Sequence, residues 1–301
     1  NGSKKNLKII DIEVDEKPTG EVSAGAGIGT NGGSFAFNIK ESNWMGNGQS
    51  LSFELEVDEE SIGGSFIFSD PNYDNLGNSL NYSIASEAND KPDQGYENTV
   101  TSLGLGTSFE QYNDFRVQLG LSAVYDDLRT DNTASDALKK QSGAFNEIAG
   151  NYSLTFDKRN RVFKPTDGSV FTFGQTLPFY ADKSFISNFI SLNSYKTLNE
   201  DVIGSSKFLF TAVNGLGSDD VRLSKRKSLS TRRLRGFEKN KIGPVDGTDH
   251  VGGNYAVVAN FETNLPNLLP DDTRTDIILF LDFGNVWGVD YDSSIDDSNK
   301  I

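Results

Sequence analysis

The chain has 301 residues, a formal net charge of -15 and no cysteine, and 36% of it is hydrophobic. It contains no run of about eighteen apolar residues, which excludes a membrane-spanning helix; without cysteine there is no disulfide framework or thiolate metal site. The acidic balance argues against a nucleic-acid partner, but the modest hydrophobic fraction leaves a membrane barrel open, because a barrel carries apolar residues on its lipid face alone.

Asn1 begins the chain without Met or a charged-then-apolar leader, so an exported protein would have it as an internal position of a longer precursor. Lys8–Asp15 alternates as one strand, and Pro18 and Gly20 then break the pattern. Residues 1–18 therefore read as the tail of a preceding domain, and 19–301 as a separate one. Next come Val22, Ala24, Ala26 and Ile28 on one face, then Phe35, Phe37 and Ile39. In 50–58, Leu51, Phe53, Leu55 and Val57 alternate with Ser50, Ser52, Glu54, Glu56 and Asp58. A strand separates those sets onto two faces, whereas a helix mixes them.

The rhythm continues through Phe66 and Phe68; Leu80, Tyr82 and Ile84; and Phe115, Val117, Leu119, Leu121 and Tyr125. It returns at Tyr152, Leu154 and Phe156, at Phe208 with Phe210, at Tyr255, Val257, Ala259 and Phe261, and at Ile277, Leu279, Leu281 and Phe283. Clusters at Thr30–Gly33, Asn43–Gly48, Asp70–Asn78, Asn89–Gly95 and Glu110–Asp114 mark turns. The pattern predicts about thirteen strands of roughly 8–12 residues, a length that crosses hydrocarbon when tilted. The class is all-β, a transmembrane antiparallel barrel. A soluble sandwich or propeller also alternates, but it gives no reason for apolar faces so rich in Phe.

A long connection, 215–253, holds Arg222, Lys225, Arg226, Lys227, Arg232, Arg233, Arg235, Lys239 and Lys241. Connections this long are usually functional or disordered. One reading is a solvated loop touching lipopolysaccharide phosphates outside the cell. The preferred one folds it into the lumen, where Glu262 shares a face with Asn260 and Asn264, and Asp282 with Ile278 and Phe280. An Arg fork between two such carboxylates makes charge-assisted bonds. Gly27–Gly32 fits G-x-G-x-x-G, but a strand follows where a dinucleotide site needs a helix. His250 is the single histidine, so it lacks companions for a metal site, and no G-x-S-x-G elbow accompanies it. Trp44 and Trp287 suit an interface belt or plain packing. Asp157, Arg159 and Asp167 read as turn structure. No cofactor and no enzyme activity are expected.

Leu234-Arg235-Gly236-Phe237 resembles the [VIL]-R-G-F signature of the BamA family of outer-membrane assembly factors. Asn43-Trp44-Met45-Gly46-Asn47-Gly48 resembles the family's N-W-hydrophobic-G-x-G turn, and Asp157-Lys158-Arg159-Asn160 with Pro165-Thr166-Asp167-Gly168 its D-x-R-x…P-T-x-G turn. Phe280–Trp287 resembles its F-x-D-x-G-x-V-W segment. The resemblance implies a barrel of about sixteen strands behind periplasmic POTRA domains, with residues 1–18 ending the last of them. It implies that Arg235 is held in the lumen by Glu262 and Asp282.

The function implied is an outer-membrane insertase in bacteria, whose weak seam opens sideways so that a client strand pairs with the free edge. The seam strand would be Gly20–Gly29, with Gly20, Val22, Ala24, Gly25, Gly27 and Gly29. Implied partners are unfolded outer-membrane proteins, the lipid bilayer with its lipopolysaccharide, and accessory lipoproteins. Barrels for two-partner secretion or autotransporter assembly share the motif, and a passive porin is a further alternative. The chain stops at Ile301, after the thirteenth strand, and so reads as a fragment lacking its last strands.

Overall fold

A computed structural model of the chain describes residues 13, 15, 17–29, 32–199, 202–265 and 277–295. The expected Lys8–Asp15 strand and the POTRA remnant fall almost wholly outside the described residues. The elements in chain order are β1 (Gly20–Gly29), β2 (Gly32–Trp44), β3 (Gln49–Asp58), β4 (Ser61–Asp70), β5 (Ser79–Lys91), β6 (Tyr96–Tyr112), β7 (Phe115–Thr130) and β8 (Gly143–Asp157). Then follow β9 (Gly168–Ala181), β10 (Phe185–Asn199), β11 (Val202–Gly215), the short β12 (Val245–Asp246) and β13 (Asp249–His250), β14 (Tyr255–Leu265) and β15 (Ile277–Trp287). All but β12 and β13 form one 13-stranded sheet in which each strand pairs antiparallel with its neighbours in sequence. Among the described residues, no strand pairs with the outer edge of β1 or of β15.

The strands are longer than their sequence pattern suggests: β6 has 17 residues and β7 has 16. Two expected breaks shrink for this reason. Asn89 and Asp90 stay in the ladder opposite Asn98 and Glu97, and Gly95 closes a one-turn 3-10 helix over Pro92–Gln94 at φ 72°. The Glu110–Asp114 cluster becomes a tight hairpin in which Asp114 takes φ 65°. Residues of weak strand propensity extend a strand when a neighbour offers the pairing.

Register sorts the side chains cleanly. Ile39, Phe53, Phe66, Ile84, Leu103, Ala123 and Ile148 lie directly opposite one another across β2 to β8. The six large members of this row are each between 42% and 55% exposed. A continuous apolar belt turned outward suits hydrocarbon and not water, which excludes the soluble alternative. The row Asn193, Lys207, Asn260 and Asp282 runs along the other face.

The sheet must curl. Arg235 bonds Asp282 on β15 while Lys239 bonds Glu60 in the turn just before β4. Four residues of chain span at most about 14 Å, yet nine strand steps laid flat measure about 43 Å. Only a wall wrapped around its polar face brings both partners to one loop.

Candidate functional site: the luminal loop

The loop leaves β11 after Gly215 and rejoins the wall at Tyr255. Strands alternate in direction, so it enters from the end shared by the β3–β4, β5–β6, β7–β8 and β9–β10 connections. Its base is packed there. Leu223 and Val251 are buried with Tyr96, Leu128, Ala134 and Leu138, and Val221 with Phe185 and Val213. A bridge between Lys227 and Gly253 and the β12–β13 hairpin close the backbone into two arms.

Charge holds the base to the wall. The Arg222 guanidinium faces Asp126 at 3.5 Å and Glu147 at 3.9 Å and lies 4.4 Å from the Phe145 ring. Lys225 bonds Glu147 at 2.8 Å, Arg226 pairs with Asp290 and with Asn254, and Lys227 donates to Ser187 Oγ at 3.1 Å. Burial pushes Arg222 below its usual pKa despite those carboxylates, and it lowers the Lys227 ammonium, with Lys225 adding repulsion. Farther along, Lys239 bonds Glu60 at 2.7 Å and Lys241 bonds Asp93 at 2.6 Å.

At the tip, Arg233 and Leu234 both donate their backbone N–H to Ser230 O, at 2.9 and 3.1 Å. Leu234 is buried with Leu229, Ile242, Ala256, Val258 and Val286. Gly236 turns the chain at φ 87°, a conformation that disfavours any side chain, and Phe237 is left exposed. Between them Arg235 donates to Asp282 through Nε (2.7 Å to Oδ2) and Nη2 (2.7 Å to Oδ1), with its backbone N–H 3.1 Å from Oδ2. Its Nη1 stands 2.9 Å from Glu262 Oε1, and the guanidinium lies 3.8 Å from the centre of the Phe280 ring. A planar fork satisfied on two sides and stacked on a third is geometry that arginine alone offers.

Three partners escaped the sequence reading. Asn260 Nδ2 donates to Asp282 Oδ1 at 2.8 Å and to Arg233 O at 2.7 Å. Lys207 Nζ donates to Glu262 Oε2 at 2.5 Å, and Phe280 supplies the ring beneath Arg235. Parity puts Asn260 and Phe280 on the faces of Glu262 and Asp282 without giving them a role, whereas Lys207 comes beside Glu262 only through the pairing of β11 with β14. Two carboxylates and two cations then balance inside the wall.

The remaining candidate residues are spread out. Gly20, Val22, Ala24, Gly25, Gly27 and Gly29 lie along β1, opposite Glu41, Ile39, Phe37, Ala36, Ser34 and Gly32. Asp157 and Arg159 form a forked pair at the β8–β9 turn, through bonds of 2.8 and 2.5 Å, which Asn160 extends to Thr166 at 2.7 Å. Trp44 ends β2 half in the open, whereas Trp287 stacks on Tyr255 with ring centres 5.7 Å apart. His250 lies beside Asp249 in the β12–β13 hairpin, away from the tip.

The Omp85 superfamily domain matches residues 43–300. The outer membrane protein assembly factor BamA of Neorickettsia risticii is 26% identical over 296 residues, taking in 94% of this chain and 39% of the relative. The human sorting and assembly machinery component 50 homolog is 24% identical over 230 residues, 75% of this chain and 49% of its own. This chain thus spans less than half the length of either. Among solved structures, BamA from Haemophilus ducreyi lacking POTRA domains 1–3 superposes with a TM-score of 0.81 at 22% identity, over 91% of this chain and 58% of that one. With its belt, its register and its luminal loop, the chain belongs to the Omp85 superfamily as an integral outer-membrane β-barrel.

Proposed function

We propose that this barrel is the membrane part of an insertase that folds and inserts other β-barrel proteins into the bacterial outer membrane. The observation carrying this reading is the Arg235 clamp on Asp282 and Glu262, which braces β14 and β15 from inside. A wall braced there can loosen at its other edge, β1, without collapsing. That edge, with Gly20, Gly25, Gly27 and Gly29 in one strand, is the seam where a client strand would add by backbone pairing. Residues 1–18 end a preceding POTRA domain in this reading, and further strands complete the circle.

Its partners are unfolded outer-membrane proteins, the bilayer with its lipopolysaccharide, and accessory lipoproteins of an assembly complex. Relatives are named as assembly factors, which favours this reading over secretion of one dedicated partner. A passive channel fits less well, because the loop packs its base against the wall through buried clusters and is clamped to β15 at its tip. The test is Arg235→Ala in the full-length gene. Outer-membrane barrel assembly and growth should both fall; wild-type levels of assembled barrels in that strain would sink the proposal.

A further inference from the structure

Seven of the nine cations in the loop have partners: Arg222, Lys225, Arg226, Lys227, Arg235, Lys239 and Lys241. Arg232 and Arg233 have none among the described residues, and both are exposed. They are adjacent, and they sit on a turn of the loop that is held on both sides. The Arg233 carbonyl accepts from Asn260, Leu234 is buried beside them, and Arg235 is clamped next in line. In a chain of net charge -15, two unpaired guanidiniums on a rigid mount are a presented feature and not a leftover.

From this, and resting on the insertase reading, we infer that Arg232 and Arg233 form a docking point for an acidic segment of an incoming polypeptide. Location argues for it. Asp282 is the midpoint of β15, and Glu262 is three residues from the end of β14, so the tip stands halfway or more down the wall. The loop base packs against the wall at the other end, so the tip faces the end where β1 begins, and an anion has its shorter way from there. Arginine forks take carboxylates in paired bonds. A lipid phosphate suits the pair less, because the wall separates the lumen from the outward apolar belt.

The experiment uses the full-length protein in detergent micelles and a fluorescein-labelled extended peptide alternating Asp with Val. Fluorescence anisotropy should show saturable binding that weakens as salt is raised. R232Q/R233Q should lose about tenfold in affinity, R232K/R233K should keep most of it, and an Asn-for-Asp peptide should not bind. Equal affinity in R232Q/R233Q, or equal binding of the neutral peptide, overturns the inference. Displacement of the peptide by inorganic phosphate or by lipopolysaccharide at matched ionic strength also overturns it, because the pair would then be a phosphate site. Heat-modifiable migration of each variant on gels checks that its barrel has folded. The insertase reading is judged separately by Arg235→Ala, so peptide binding can fail while assembly still depends on Arg235.

Discussion

Arg235 shows why residue type matters more than charge. Lysine would keep the positive charge but offers one point where the fork offers Nε, Nη1 and Nη2 to two carboxylates. Asp282, its side chain nearly sealed at 2% exposure, would lose the paired side-chain bonds and keep only Asn260 Nδ2 on Oδ1 and the backbone N–H of residue 235 on Oδ2. Arg235→Lys should therefore lower barrel stability by about 1–3 kcal/mol, at the lower end because Arg235 itself is 28% exposed. The temperature at which the barrel loses its folded migration on gels reads this out; an unchanged temperature would refute it. Gly236→Ala isolates a different cost. Nothing lies within 4 Å of the added carbon, so only the φ of 87° opposes it, and the penalty should be about 1 kcal/mol. The four-residue motif and the parity of Glu262 and Asp282 were legible because each depends on local order. Lys207 was not, because its role depends on β11 lying next to β14 across the whole loop.

At the scale of elements, the β12–β13 hairpin carries a proton switch of predictable sign. His250 Nδ1 is buried without a partner, and burial first, then Lys241, hold its pKa below the usual value near 6.5, against the pull of Asp93, Asp249 and Glu238. The folded hairpin thus prefers neutral imidazole. As pH falls below about 6.5 the unfolded segment takes up the proton first, so packing of the loop base weakens. Asp249, raised mainly by burial, works the opposite way, since its folded form takes up a proton more readily than the unfolded one as pH falls. Limited proteolysis of the loop should be faster at pH 5.5 than at 7.5, and His250→Gln should remove that difference. A difference that persists in His250→Gln would place the sensitivity elsewhere. Alternation showed the strands of the wall well, because one face meets lipid and the other the lumen. It could not show how far β5 and β6 continue past the belt, nor the four-residue helix Asp136–Lys139, since those depend on what the loops pack against.

On the scale of the whole molecule, the loop is a spoke between the two flanks of the described sheet. Arg235 fastens to β15, which is one edge of the sheet, while Lys239 and Lys241 fasten to Glu60 and Asp93 on the flank that carries β1. The proposed opening beside β1 would strain or break these ties. Lys239 and Lys241 are the weaker members, being about a third exposed, so each is worth about 0.2–1 kcal/mol and is weakened by salt. Losing both should raise the population of a loosened β1 between about twofold and about thirtyfold. The chain has no cysteine, so a single Ser23→Cys on β1, on the same face as Asn38 opposite it, becomes a clean reporter. Its maleimide modification rate should rise within that range in K239A/K241A, and salt should produce much of the same rise in the parent. If the rate is the same with and without the two lysines, the spoke does not restrain the seam, and the loop braces only the wall on which Arg235 sits.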